Sequence, residues 1–97
     1  MTTLGRYAAE ALEMMRESNP LLLQKLTEEG KLRQFLADLQ DEAETIWAQQ
    51  YQKVLAKEPP ATSSYEDQVE ATGRAMAAAR QLVRETLIRP LGQPSNL

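Results

Sequence analysis

The sequence contains no cysteine and no histidine. It therefore has no means of forming disulfide bonds, zinc sites built from Cys and His, thiolate nucleophiles or imidazole acid–base groups. Small secreted domains more often carry disulfides, so we expect this protein in the cytoplasm. The longest unbroken apolar runs, Leu21 to Leu23 and Ala75 to Ala79, are far too short to cross a membrane.

Glycine, aromatic residues and basic segments are also scarce. The four glycines stand alone, which excludes the glycine-rich loops that cradle phosphates in P-loop and Rossmann proteins. Aromatic residues make up only 5% of the chain, so a core of Leu, Met and Ala is expected. The net charge of −3 is spread evenly, whereas nucleic-acid binders usually present a basic face. No cofactor is expected.

What the sequence does contain is one long stretch, Lys31 to Lys57, without proline or glycine. Its apolar residues recur at spacings of three and four, which is typical of one buried stripe on a helix. They are Leu32, Phe35, Leu36, Leu39, Ala43, Ile46, Trp47, Tyr51 and Val54. The pattern predicts a single long helix that the rest of the chain covers.

Helix-capping residues divide the chain before this stretch. A first helix should begin at Thr2 or Thr3 and run to about Glu17. Asn19 followed by Pro20 predicts a second, short helix, which Gly30 should close in the left-handed conformation.

After the long helix, Pro59 and Pro60 predict a short, stiff loop. Ser63 with Glu66 matches a capping box, so the last helix should run from Ser64 to about Ile88 or Arg89, where Pro90 stops it. A heptad spacing predicts its buried seam as Tyr65, Val69, Thr72, Met76, Ala79, Val83 and Thr86. Gly73 lies in the small-residue middle of this helix, so we expect another helix to approach most closely there.

Two long helices joined by so short a loop must run antiparallel. We therefore predict an all-α fold, a three- or four-helix bundle built on a long antiparallel helical hairpin. Residues 1–90 should form a single domain, and residues 91–97 a flexible C-terminal tail.

Two charged groups are candidates for chemistry. Asp38, Asp41, Glu42 and Glu44 form the densest carboxylate group, and Asp38 with Glu42 could share a hard cation in a metal protein or hydrolase. A solvated helix face explains them more simply, so no metal ligand and no catalytic residue is assigned. Arg80, Arg84 and Arg89 could contact phosphates, although cations near a helix C-terminus also complement its dipole.

Aromatic and small residues are candidates for binding another protein. Trp47 and Tyr51 lie one turn apart at the edge of the long stripe, where they serve either as core or as a binding anchor. Gly73 and Ala77 mark the small-residue face of the last helix.

Several runs in the sequence resemble a small transposon-encoded family, the TnpV family. They are Asn19-Pro20-Leu21-Leu22, Glu29-Gly30-Lys31-Leu32, Phe35-Leu36, Asp41-Glu42-Ala43 and the run from Ala79 to Ile88. The resemblance covers about residues 5–90, although family members often carry extra residues before the first helix. It implies a bacterial mobile element or a related setting, and it brings no catalytic residues with it.

The function expected from these observations is a non-enzymatic helical module that binds protein, as a homodimer or with an unidentified protein partner. The alternative is a DNA-associated accessory or regulatory protein that acts as a dimer, supported by the family resemblance and the arginines. No membrane contact is expected.

Overall fold

The computed structural model describes residues 4–93, and all of the regular secondary structure in this range is helical. Four α-helices follow one another: α1 (Arg6–Ser18), α2 (Pro20–Glu28), α3 (Leu32–Lys57) and α4 (Tyr65–Val83). A π-helical turn, Arg84–Ile88, and a 3-10 turn, Arg89–Gly92, continue α4. No strand occurs between residues 4 and 93. The predicted all-α bundle on a long antiparallel hairpin is confirmed.

The long helix α3 packs antiparallel against α4. Leu36, Leu39 and Ala43 of its predicted stripe are buried, and the remaining stripe residues are partly buried. The described residues extend over 54 × 34 × 19 Å, so the thinnest dimension is close to two helix diameters. The described part of the molecule is therefore flat, about two helix layers thick.

The turns around α2 form as the sequence predicts. The Asn19 side chain accepts a hydrogen bond from the Leu22 amide at 3.4 Å, and Pro20 occupies the first turn of α2. Gly30 has a φ of +69° and follows α2, in the left-handed conformation that glycine adopts without strain. Asn19 also donates through Nδ2 to the Leu91 carbonyl at 3.0 Å, which ties this turn to the C-terminal end of the chain.

The start of α1 differs from the prediction. The helix begins at Arg6, after the extended residue Gly5, while Thr2 and Thr3 lie outside the described residues. Its free backbone amides are satisfied from α3: the amides of Tyr7 and Ala8 both donate to Gln40 Oε1 at 2.9 Å. A Cβ atom at position 5 would overlap the Gln40 side chain, so glycine allows this approach.

The start of α4 lies one residue later than predicted. Ser64, rather than Ser63, is the N-cap, and its hydroxyl accepts from the Asp67 amide at 3.3 Å. Thr62 donates to the Asp67 carboxylate, which holds the loop against the first turn. Because the cap lies one residue later, the acidic residue three positions after it is Asp67 and not the predicted Glu66.

The predicted heptad seam of α4 is wrong in its first half and again at Thr86, which is exposed. The helix buries Ala71, Ala75, Ala79 and Val83 against the core, whereas Tyr65, Val69 and Met76 are exposed. Small alanine side chains let the α3 and α4 backbones approach closely while α3 supplies the large side chains. Gly73 is not the site of closest approach, because no atom lies within 4 Å of a Cβ built there.

Pro90 does not end the helical path. It lies in the first turn of the 3-10 segment, where a missing amide hydrogen is tolerated, and the wider π turn precedes it. Leu91 and Gly92, which the sequence assigned to a flexible tail, belong to this segment. A Cβ on Gly92 would press on the Met14 side chain, so the segment packs closely on α1. The rest of the predicted tail, residues 94–97, lies outside the described residues.

Helix α1 lies across one end of the hairpin only. Its first turn contacts Gln40, Glu10 pairs with Arg84, and Met14 contacts Gly92. We call this covered end the base of the hairpin. The opposite end, the tip, contains the loop around Pro59 and extends past the N-terminus of α1. Among residues 4–93, a helix fills the groove between α3 and α4 at the base, and no further helix lies over it at the tip.

Candidate interaction surface

The open part of the groove carries an apolar surface, which we call the open face. Its α3 residues are Trp47 and Tyr51. Its α4 residues are Tyr65, Val69 and Met76, whose spacings of four and seven keep them within about 40° of one another around the helix axis. Trp47 and Met76 line the same cleft at the end of α1, so the two stripes lie on the same side of the hairpin.

Exposure distinguishes this face from the rest of the surface. Tyr65 is 80% exposed, Val69 51% and Met76 36%. Among residues 4–93, five large apolar side chains are exposed, and these three share one stripe of one helix. Single exposed apolar residues are ordinary on a protein surface, but a contiguous group indicates a contact site.

The α3 side of the open face is ordered by aromatic stacking. The Trp47 and Tyr51 rings are parallel to within 9°, and their centroids lie 5.0 Å apart. Both residues are partly buried, so the stack contacts the hairpin on one side and remains accessible on the other. An ordered aromatic pair loses little side-chain entropy on binding, which is one reason that such pairs serve as anchors.

The two predicted small-residue contacts separate in the structure. Gly73 is exposed at the edge of the open face, about 40° around the helix from Val69. Ala77 is exposed further round, where it lines a shallow cleft with the polar side chains Arg80, Gln81, Arg84 and Glu85. Of the four predicted partner-binding residues, Trp47, Tyr51 and Gly73 therefore adjoin one surface and Ala77 lies outside it.

A small cleft marks the boundary between the open face and α1. It has a volume of about 220 Å³, and its lining residues are Arg6, Tyr7, Gln40, Glu44, Trp47, Met76 and Arg80. Small-molecule pockets are usually larger, at about 300–1,000 Å³. The cleft fits an inserted side chain better than a metabolite.

The three candidate phosphate-binding arginines lie in neighbouring clefts, Arg80 with Arg84 in one and Arg84 with Arg89 in the next, and acidic side chains line both clefts with them. Arg84 donates to Glu10 through Nη2 at 2.7 Å and through Nε at 3.2 Å, and this hydrogen bonding raises the pKa of Arg84. Arg89 lines a cleft with the acidic residues Glu13 and Glu17 of α1. Only Arg80 adjoins the open face.

The carboxylates of α3 are exposed. Asp38 accepts a hydrogen bond from Gln34 at 2.7 Å, and Glu44 accepts one from Gln40 at 3.1 Å. Asp41 and Glu42 are also exposed. Within residues 4–93, no group of three or more acidic side chains is placed to hold a metal ion.

Tyr7 and Gln40 were not singled out from the sequence as site residues. Tyr7 is 6% exposed, and burial raises the pKa of its phenol above the ordinary value of 10.0, against the opposing effect of nearby Arg6. Gln40 looks like an ordinary polar residue of α3, because its partners in α1 are more than thirty positions away. No local sequence pattern could have revealed either role.

In the comparisons with known proteins, no family model, curated protein or solved structure matches the chain. No helix between residues 4 and 93 is long and apolar enough to cross a membrane.

Proposed function

We propose that this chain is a non-enzymatic protein-interaction module whose working surface is the open face of the hairpin. The observation that carries the proposal is the cluster of Tyr65, Val69 and Met76, exposed beside a stacked Trp47–Tyr51 pair. Exposing these side chains to water costs free energy, because each apolar Å² removed from water contributes about 25 cal/mol. A bound protein chain would recover that free energy.

The composition of the open face supports a protein partner rather than a small ligand. Trp and Tyr are enriched at binding hot spots, and Met adapts its shape to a partner. The adjoining cleft is small and open. The face also continues the groove that α1 fills at the base, so its shape suits a helix or a helical hairpin.

The proposed setting is the bacterial cytoplasm, on a mobile element or in a related genomic context. The support for this setting is the resemblance of the Asn19-Pro20 and Ala79–Ile88 runs to the TnpV family, and the lack of cysteine.

Site-specific photocrosslinking tests the proposed function. A photoreactive phenylalanine analogue replaces Tyr65 on the open face or, as the control, Gln52, which is exposed on α3 away from that face. After irradiation in cells, we expect specific protein adducts from position 65 and few from position 52. Val69→Glu, introduced beside the probe at position 65, should remove those adducts, because a carboxylate would be desolvated in the contact.

Equal adduct yields at positions 65 and 52 would contradict the proposed function, because the open face would then be no more engaged than any other surface. The masses of the adducts also show whether the captured chain is a second copy of this protein, at 10.9 kDa, or a different protein.

A further inference from the structure

We propose that the Met14 thioether is an oxidation site, and that its conversion to the sulfoxide releases the C-terminal turns, residues 84–92, from α1. This inference concerns the base of the hairpin and does not depend on the function proposed for the open face. It rests on the packing of Met14 against Gly92, on a cleft that leads to Met14, and on the contacts that hold the C-terminal turns.

The Met14 side chain lies between the core of the base and the C-terminal turns. It is partly buried and packs against the core. A Cβ atom built on Gly92 would lie 2.6 Å from Met14 Sδ and 3.3 Å from the Cβ atom of Ser18, so Gly92 fills a notch on α1 that has no room for another heavy atom. An oxygen atom on this side of the sulfur would overlap the turn. On the opposite side it would draw the sulfur toward solvent, because a sulfoxide is polar and a thioether is not.

A cleft between α1 and the C-terminal turns gives a small oxidant access to Met14. Its volume is about 310 Å³. Its lining residues are Glu10, Glu13, Met14, Glu17, Arg84, Ile88 and Arg89. Hydrogen peroxide is uncharged and far smaller than this cleft, so the surrounding carboxylates and guanidinium groups do not repel it from the sulfur.

The reaction is a two-electron oxidation of the sulfur by peroxide. A lone pair of Met14 Sδ attacks one peroxide oxygen, and the S–O bond forms as the O–O bond breaks. The departing hydroxide takes the proton of the transferred oxygen and leaves as water. The sulfur is oxidised to the sulfoxide and the peroxide is reduced, and cellular reductases can restore the thioether.

The position of the C-terminal turns depends on their contacts with α1 and with the residue that ends it. The turns change from π to 3-10 geometry at Arg89, and such short irregular turns gain little stability from their own hydrogen bonds. Besides the Met14 contact, Arg84 pairs with Glu10 and the Leu91 carbonyl accepts from Asn19. Loss of the Met14 contact therefore removes a substantial part of what holds these turns.

Release of the C-terminal turns changes the surface of the base. Ile88 is only 5% exposed in the intact fold, and Val83, just before the turns, is fully buried. Both become accessible when the turns leave α1. Oxidation of one sulfur atom is thereby converted into exposed apolar surface, which is a signal that another protein can detect.

The first part of the test measures which methionines react. The full chain is treated with hydrogen peroxide, and peptide mass spectrometry follows each methionine with time. Met15, next to Met14 in the sequence, is 0% exposed and serves as the buried reference, and Met76 is 36% exposed and serves as the accessible one. We expect Met14 to oxidise at least about tenfold faster than Met15, because reactivity follows exposure.

The second part measures the release of the turns by amide hydrogen exchange. In protein oxidised at Met14, the amides of residues 84–92 should exchange about tenfold faster than in untreated protein, because local opening becomes more frequent. The amides around Tyr51, in the part of α3 remote from Met14, should keep their rate.

The matched control is Met14→Leu, which keeps an apolar side chain of similar volume but has no sulfur. Residues 84–92 of this variant should exchange at the same rate before and after peroxide, which separates Met14 from Met1 and Met76. Met14→Gln places a polar side chain at the same position, so its C-terminal turns should exchange fast without any oxidant. Circular dichroism checks that each variant is folded.

Three outcomes would overturn the inference: Met14 that reacts no faster than Met15, oxidised Met14 with unchanged exchange in residues 84–92, or faster exchange after peroxide in Met14→Leu as well. None of them bears on the crosslinking yield at position 65. The failure of this inference is therefore distinguishable from the failure of the proposed function.

Discussion

At the scale of single residues, the fold depends on a polar contact between distant parts of the chain. The Gln40 amide oxygen accepts from two backbone amides of the first turn of α1, a role usually filled by a local N-cap side chain. Gly5, at the N-cap position, has no side chain to offer. The attachment of α1 to the hairpin therefore depends on one side chain of α3.

We predict that Gln40→Ala lowers the free energy of unfolding by about 1–2 kcal/mol, because two amides lose their acceptor. Gln40→Glu, which keeps an acceptor and adds negative charge at a helix N-terminus, should retain most of the stability. Urea unfolding monitored by circular dichroism measures both. Equal losses in the two variants would show that the acceptor is not what matters.

A second residue-scale prediction concerns Tyr7 at alkaline pH. Its phenol is neutral in both states at neutral pH, and burial raises the pKa of Tyr7 in the folded state. As the pH rises past about 10, the unfolded phenol ionises first, so the free energy of unfolding falls until the folded phenol also ionises.

Tyr7→Phe should reduce this alkaline loss, whereas Tyr65→Phe, which removes an exposed phenol, should not. Urea unfolding at neutral pH and at about pH 11 compares the variants with the wild type. The same alkaline loss in Tyr7→Phe as in the wild type would assign the effect to other groups.

At the scale of helices, the sequence predicted the elements that local patterns determine. The bounds of α3, the Asn19–Pro20 start of α2 and the left-handed Gly30 all depend on neighbours within a few positions. The fold class followed from these elements and from the short loop between the two long helices.

The elements that depend on distant partners could not be predicted in this way. In α4, the large residues Tyr65, Val69 and Met76 suggested a buried seam, but α3 packs instead on the alanine stripe from Ala71 to Ala79. Alanines at helical spacing give little hydrophobic signal, and only the large side chains of α3 decide that they are buried. The same misassigned residues form most of the open face, so that error concealed the candidate site.

At this scale we predict the effect on stability of replacing Gly73. It lies in the interior of α4, and a Cβ built there meets no atom within 4 Å. Gly73→Ala should therefore stabilise the monomer by about 0.5–1 kcal/mol, through helix propensity and a less flexible unfolded chain. Gly30→Ala is the contrasting control and should destabilise, because φ is +69° there. Thermal unfolding of dilute protein measures both, and a Gly73→Ala variant less stable than the wild type would contradict the prediction.

At the scale of the whole molecule, the flat hairpin has one covered end and one open end. Helix α1 and the C-terminal turns complete a core at the base, which includes Met15, Val83 and Ile88. At the tip, α3 and α4 are covered only by each other within residues 4–93, and their aromatic side chains remain accessible. We therefore expect the base to keep the chain folded by itself, and we expect the open face to lose exposed apolar area when a protein binds to it.

The concentration dependence of Trp47 fluorescence tests the central proposal most directly, because Trp47 is the single tryptophan and lies on the open face. As the concentration rises from nanomolar to sub-millimolar, we expect a saturable blue shift of its emission, because a homodimer formed through the open face would bury Trp47. The shift should be absent in Val69→Glu and retained in Lys25→Glu/Arg33→Glu, which reverses two exposed charges outside the open face. Emission that does not change with concentration in the wild type would contradict pairing through the open face.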